Sequence, residues 1–404
     1  MPVYMDHNAT TPVAPSVIHK ITEALKNEWG NPSSKYDLGV KAQDCINEAR
    51  EHIACMIGGK PRDIVFTSGG TETNNMVIFG AVEYFNVWRK KASVEAEKPH
   101  VITTNVEHDA VLFPLRYLED SGRIDVSYVP VSDDGCISAE KIVSHVQPYT
   151  CLVSVMMANN ETGIVMPIEE IGLALKKVNT SRKSSLPKIL FHSDAAQVFG
   201  KIEVDVLSLN VDYMTVVGHK FYGPRIGCLY ARDINGETPV FPMMFGGSQE
   251  RGFRPGTENT AMIVGLGEAA RLVNVNIKKD RLHLETMRDY LEKKLEEAFE
   301  NLVVFNCRRP NVTRLPNTSN ISLRGEAMAG HRVLAQCEHV LASVGAACHE
   351  HNQPSKVLIA SGVSPALAAN AIRLSVGRYT TEKDVDIVVA DLSKAVEYLI
   401  LYAS

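Results

Sequence analysis

Lys220 stands at the end of an apolar run in "DYMTVVGHKFYGPRIG" (212–227). A lysine there makes a poor core residue. It needs a partner, a route to water, or a task such as Schiff-base formation, for which burial weakens the amine's hold on its proton. Asp194 closes a second apolar run, "KILFHSD" (188–194), with Gln197 one turn further on. The Asp194 carboxylate either accepts a hydrogen bond from a protonated ring nitrogen or caps the turn that follows. In "TSGGTETNN" (67–75) two glycines precede Thr71. Backbone N–H groups at a helix start, approached closely over glycine, make a phosphate cup, although a plain capped turn uses the same residues. The stretch matches neither GxGxxG nor GxxxxGK[ST]. Cys348 lies among small residues in "ASVGAACHEH" (342–351), with His349 beside it. It reads as a loop thiol that reaches a substrate, or as a small buried hydrophobe. A metal site with His349 and His351 lacks a fourth ligand at zinc-like spacing, so no metal is expected. A Cys–His hydrolase dyad leaves Lys220 unexplained.

Strands that alternate with helices must position these groups. From about residue 38 to 230, β-rich runs at 63–67, 100–104, 125–131, 151–157 and 188–194 alternate with helical patterns. That order implies right-handed βαβ units and a mostly parallel sheet, whose ligands bind at the carboxyl ends of the strands. After Thr257 a charge-laced helical pattern runs to about Glu300, followed by short strands and a last helix near Thr381. The expectation is an α/β fold with a large domain over 15–260. A smaller α+β domain comprises 1–14 and 261–404 and carries the cysteine loop.

Composition narrows the classes. The 404 residues are 45% hydrophobic and 22% charged, with a net charge of −5, so no basic field attracts nucleic acid or anionic membrane. The segment 261–277 is broken by Glu268 and Arg271 and is too short to span a bilayer. Eight cysteines without a CxxC pair fit a reducing compartment, and "MPVYMDHNATTP" lacks the features of a signal peptide. A cytosolic protein is expected.

The combination of phosphate cup, strand-end Asp and lysine after the next strand resembles the fold-type I pyridoxal phosphate (PLP) enzymes. The chain is most similar to the class-V aminotransferase-like group and its cysteine desulfurase and selenocysteine lyase branch. Ten segments carry the resemblance in order: "YMDHNATTP", "GNPSS", "FTSGGTETNN", "VEHDAV", "ANNETGIV", "DAAQ", "GHKFYGP", "RPGTEN", "SVGAAC" and "RLSVGR".

The resemblance implies roles. Lys220 would hold PLP covalently and Asp194 would pair with its ring nitrogen. His108 would stack on the ring and shuttle a proton, and Gln197 would hydrogen-bond the phenolic oxygen. Gly70, Thr71 and His219 would bind the phosphate, with Thr257 contributed by the second subunit of a homodimer. Asn160 and Arg373 would hold the substrate carboxylate. Cys348 would meet the chalcogen, as acceptor or proton donor. One departure is Val217, where desulfurases often carry serine in Ser-x-His-Lys. Another is Asp109, where many carry lysine. Selenocysteine lyases resemble this chain at Asp109, so the expected reaction is cleavage of L-selenocysteine to alanine and reduced selenium. A carboxylate near Cys348 would suppress its thiolate and handicap cysteine more than selenocysteine. Alternatively Asp109 only caps the following helix. A cysteine desulfurase and a silent sulfur-carrier scaffold remain as other readings. Selenophosphate synthetase is an expected acceptor of the product.

Overall fold

The computed structural model describes residues 2–94, 97–236, 238–345 and 354–402. Strand β1 (Val3–Tyr4) and helices α1 (Pro15–Asn27) and α2 (Asp37–Ile57) open the chain. The alternating part follows as β2 (Ile64–Thr67), α3 (Gly70–Ala92), β3 (His100–Thr104), α4 (Asp109–Asp120) and β4 (Asp125–Val129). It continues through α5 (Ala139–Val143), β5 (Thr150–Ser154), α6 (Ile168–Ser181), β6 (Leu190–Asp194), β7 (Tyr213–Val217) and β8 (Gly227–Ala231). The last third holds α7 (Thr260–Phe299), β9 (Val303–Phe305), β10 (Thr318–Leu323), α8 (Gly330–Gln336) and β11 (Val340–Leu341). Helices α9 (Lys356–Ala360) and α10 (Pro365–Ala369), strand β12 (Ala371–Ser375) and helix α11 (Glu382–Tyr402) complete it.

Seven strands form the central sheet in the order β2-β8-β7-β6-β5-β3-β4. The pairs among β4, β3, β5, β6 and β7 are parallel, whereas β8 runs antiparallel to both β7 and β2. The reversal has a simple cause. Residues 218–226 are too few for a crossover helix, which needs a dozen or more, so the chain returns directly. Side chains alternate between two apolar layers, as two-residue periodicity requires. Ile64, Phe66, Met214 and Val216 face α2, α6 and the start of α7, while Val65 and Tyr213 face α3 and α4. Burial on both faces explains why these strands read as continuous apolar runs.

A second core forms around β12-β10-β9, α11 and the later part of α7, and it takes in Val3 and Met5. Helix α7 serves both cores, through Ile263 to Val273 in the first and Leu284 to Phe299 in the second. We propose that the division between a large and a small unit runs through this helix rather than just before it. Among the described residues no helix is long and apolar enough to cross a membrane.

Three buried ionisable groups, the Arg50–Glu250 pair and Glu107, have structural work in this frame. Arg50 on α2 grips Glu250 through two bonds, at 2.9 and 2.6 Å, and Glu250 also accepts from the Phe66 amide at 2.8 Å. This grip holds Glu250 and Arg251 at positive φ (45° and 59°), a left-handed conformation that costs roughly 1–2 kcal/mol per residue. The segment then reaches Arg254, which pairs with Glu72 in the first turn of α3 at 2.8 Å. Glu107, between β3 and α4, accepts from Thr104 Oγ1 (2.7 Å) and the Met156 amide (3.0 Å). Burial, reinforced by nearby Asp194, pushes its carboxyl up to about 8.

Glu250→Ala strands the Arg50 charge, so urea denaturation should show a loss of about 3–5 kcal/mol with an unchanged m-value. For Glu107 the linkage sign is reversed from the usual carboxylate. Its folded form holds the proton more tightly than its unfolded form, so stability falls as pH rises from the ordinary glutamate range to about 8. Glu107→Gln removes that fall, and its melting temperature should gain on the wild type across this window. A constant gap between the two curves would show that Glu107 does not titrate there.

Candidate active site

Lys220 ends a short helical turn, Gly218–Lys220, directly after β7. Gly218 is obligatory there, since a Cβ would lie 2.6 Å from the Pro224 carbonyl oxygen. The turn directs Lys220 toward the first residues of the chain. Its Nζ donates to the carbonyls of Asn8 and Ala9, both at 2.8 Å. The same segment clamps the turn from the other side: Thr11 donates to the His219 carbonyl through N (2.8 Å) and Oγ1 (3.0 Å). His219 Nδ1 sits 3.1 Å from Thr10 Oγ1. Burial, then the positive charges of Lys220 and Arg225, bring the His219 imidazole down to about 4, so the ring is neutral.

Asp194 lies at the end of β6, beside β7. Its Oδ1 accepts from the Ala196 amide at 3.0 Å, so it does cap the turn that follows. Its Oδ2 accepts from Asn74 Nδ2 at 2.8 Å. Gln197 donates through Nε2 to the Asn8 carbonyl at 2.9 Å, the same oxygen that Lys220 uses.

Lys201 and Asn8 escaped the sequence reading as site residues. Lys201 is only 4% exposed and donates to Gln197 Oε1 (3.0 Å), the Gln197 carbonyl (2.9 Å) and Asn8 Oδ1 (3.4 Å). Ammonium groups only donate, so Lys201 fixes which end of the Gln197 amide is oxygen. Burial, then Lys220 and Arg373, hold its amine well below the ordinary lysine range. The available signal was its place one helical turn after Gln197 in "DAAQVFGK" (194–201).

Arg373 on β12 is 2% exposed and binds the Asn160 carbonyl (3.0 Å), Asp6 Oδ1 (2.6 Å) and Ser343 Oγ (2.8 Å). Its buried Nε has no partner among the described residues. The expected carboxylate pair, Asn160 and Arg373, is thus brought together, from the first core's rim and the second core's sheet.

Gly70 begins α3 under Val217, whose Cγ2 would lie 2.6 Å from a Cβ at position 70. The departure at Val217 therefore packs against the cup. A Cβ at Gly69 would meet nothing within 4 Å, which leaves the helix start open to an anion. Thr71, His108 and Asp109 line one cleft of about 430 Å³. The cap of α4 is His108, whose Nδ1 accepts from the Ala110 amide at 3.1 Å. Asp109 is the first helical residue, so the cap expected of it belongs to its neighbour. Thr257 stands exposed on the loop into α7, and among the described residues no hydrogen bond joins it to the others. Cys348, with His349 and His351, lies outside the described residues.

Together the described groups offer a primary amine, a buried carboxylate on the adjacent strand, an open helix start and a buried guanidinium. The chain is similar to known proteins over nearly its whole length. Residues 3–388 match the class-V aminotransferases. A selenocysteine lyase of Xenopus tropicalis is 52% identical over 404 residues, 98% of this chain and 94% of that protein. A mitochondrial cysteine desulfurase of Eremothecium gossypii is 37% identical over 401 residues, 98% of this chain and 76% of that protein. A solved NifS-like protein superposes with a TM-score of 0.85 at 32% identity, over 98% of this chain and 100% of that one. On this match in sequence and fold, the chain belongs to the class-V aminotransferase family.

Proposed function

We propose that the chain is a PLP-dependent selenocysteine lyase, which, with two electrons and two protons from a thiol reductant, converts L-selenocysteine to L-alanine and reduced selenium. One observation carries the chemistry: Lys220 and Asp194 emerge at the carboxyl ends of two adjacent central strands, with Gln197 sharing the carbonyl on which Lys220 rests. The choice of substrate rests on relatives at 52% identity that bear this name, against 37% for a cysteine desulfurase.

The residues fit the cofactor. Asp194 is a buried acceptor for a ring nitrogen, and Lys220 offers the amine. The open start of α3, with Gly70, Thr71 and His219, suits a phosphate. When bound, PLP supplies the electron sink for breaking bonds at the substrate's Cα and Cβ. The chain's own residues do the rest. Asn160 and Arg373 orient the substrate by its carboxylate, the orphan Nε of Arg373 being one donor still to be satisfied. Lys220 moves the proton at Cα. His108 keeps Nδ1 for its helix, which leaves Nε2 to face the ring site. Cys348 meets the selenium as the Cβ–Se bond breaks, either giving it a proton or bonding to it, in which case the thiol reductant then cleaves the S–Se bond and frees the selenium. Thr257, exposed before α7, serves the phosphate of a second copy in a homodimer. Selenophosphate synthetase takes the product, in the cytosol. The cysteine desulfurase reading differs in the element removed and in needing Cys348 as a thiolate nucleophile.

The deciding measurement is alanine formation by the PLP-loaded chain from L-selenocysteine and L-cysteine in parallel, with a thiol reductant. Selenocysteine should turn over and cysteine should not, and Cys348→Ala should lower the rate about 10²–10⁴-fold, as loss of a proton donor does. Equal turnover of cysteine would make the protein a desulfurase. In the same assay Asp109→Lys should lower the ratio of selenocysteine to cysteine turnover, and an unchanged ratio would remove Asp109 from substrate choice.

A further inference from the structure

Five buried polar side chains form a line that ends on Asp194. Ser154 closes β5, His192 and Asp194 lie on β6, Thr215 on β7 and Asn74 on α3. The first four of the line are 0–1% exposed. Register assembles them: Ser154 pairs opposite His192 and Thr215 opposite Asp194. Residues two apart on β6 share one face of the sheet. The contacts are Ser154 Oγ to His192 Nδ1 (2.8 Å), His192 Nε2 to Thr215 Oγ1 (3.0 Å), Thr215 Oγ1 to Asn74 Oδ1 (2.6 Å) and Asn74 Nδ2 to Asp194 Oδ2 (2.8 Å).

With Asp194 ionised, every direction in this line is dictated. A carboxylate only accepts, so Asn74 turns its NH₂ to Asp194 and its oxygen to Thr215. That oxygen takes the single hydroxyl proton of Thr215. The Thr215 oxygen is then left to accept from His192 Nε2. Burial pushes the His192 imidazole down to about 4, so the ring is neutral and carries one proton. That proton sits on Nε2, and the bare Nδ1 accepts from Ser154. All four donors point the same way, and aligned hydrogen bonds polarise one another.

We propose that Ser154, His192, Thr215 and Asn74 are positioning residues, a one-way chain of donors that fixes Asp194 as a charged acceptor and so keeps the cofactor's ring nitrogen protonated. The inference rests on the reading of Asp194 as the ring-nitrogen partner. The line polarises and does not conduct, because the Asn74 amide interrupts any relay of protons between hydroxyl and carboxylate.

Nitrogen-15 NMR of the PLP-free chain tests the line without the cofactor, with His192→Gln to assign the signal. His192 should be a neutral ring protonated on Nε2 at neutral pH; a cationic ring, or one protonated on Nδ1, overturns the proposal. In the chain loaded with nitrogen-15-labelled PLP, Thr215→Val should shift the ring-nitrogen resonance toward its unprotonated position. Thr103→Val is the control, since that hydroxyl is equally buried but donates to the Ser154 carbonyl (2.9 Å), outside the line. No shift in Thr215→Val, or equal shifts in both variants, overturns the proposal. Failure of PLP to bind at all counts against the functional reading instead, and leaves the His192 result to decide the line.

Discussion

Asn8 takes up the amines of two lysines at once. Its carbonyl accepts from Lys220 and Gln197, and its side-chain oxygen accepts from Lys201 and Asn317. An amine taken out of water without acceptors is expensive, and this segment supplies acceptors to both lysines, beside the two that Gln197 offers Lys201. Asn8 is anchored in turn by its own donors, to Ser375 Oγ (3.0 Å), Thr318 Oγ1 (2.8 Å) and the Asn160 carbonyl (3.3 Å). Those partners belong to the second core's strands and the first core's rim. The N-terminal segment is carried there by β1, which pairs with β11, and by Met5, whose carbonyl accepts from the Ser375 amide. The position of Lys220 thus depends on contacts made by the other end of the chain.

The same geometry explains why the site lies where it does. Lys220 and Asp194 leave adjacent parallel strands at their carboxyl ends, the usual place for ligands in such sheets. Arg373 comes from β12, in the other core, and reaches the same region through Asp6, Asn160 and Ser343. A lysine could not replace it, because three acceptors in fixed directions match a planar fork and not a point charge. Ser343, two residues after β11, also ties this guanidinium to the chain that follows that strand. Helix α7 packs into both cores, through Ile263 to Val273 in one and Leu284 to Phe299 in the other, and so joins the two units that supply these groups.

Legibility followed burial. Strands buried on both faces leave continuous apolar runs, and Asp194 and Lys220 were visible because each ends such a run with a charge. The antiparallel β8 was not visible, because its direction is set by the shortness of the 218–226 connection and not by its own residues. Asn8 was invisible as a site residue for a different reason, while Lys201 left only its spacing one turn after Gln197. Asn8 has its role only through partners brought in from elsewhere in the fold, and an asparagine in isolation carries no mark of that. The donor line behind Asp194 is the same case. His192 and Thr215 look like ordinary strand residues until the register places them side by side.

Asp109 shows where sequence pattern and substrate choice are hardest to separate. As the first residue of α4 it stands at the positive end of the helix, where an acidic side chain is favoured by roughly 0.3–1 kcal/mol whatever the protein does. It also lines the cleft with His108 and Thr71, and on the proposed function a negative charge there would oppose formation of a thiolate. A lysine at this position loses the first effect and reverses the second. The two act on different quantities, helix stability and the charge state of a thiol. A change confined to the ratio of two substrates can come only from the second, because a frayed helix slows both alike.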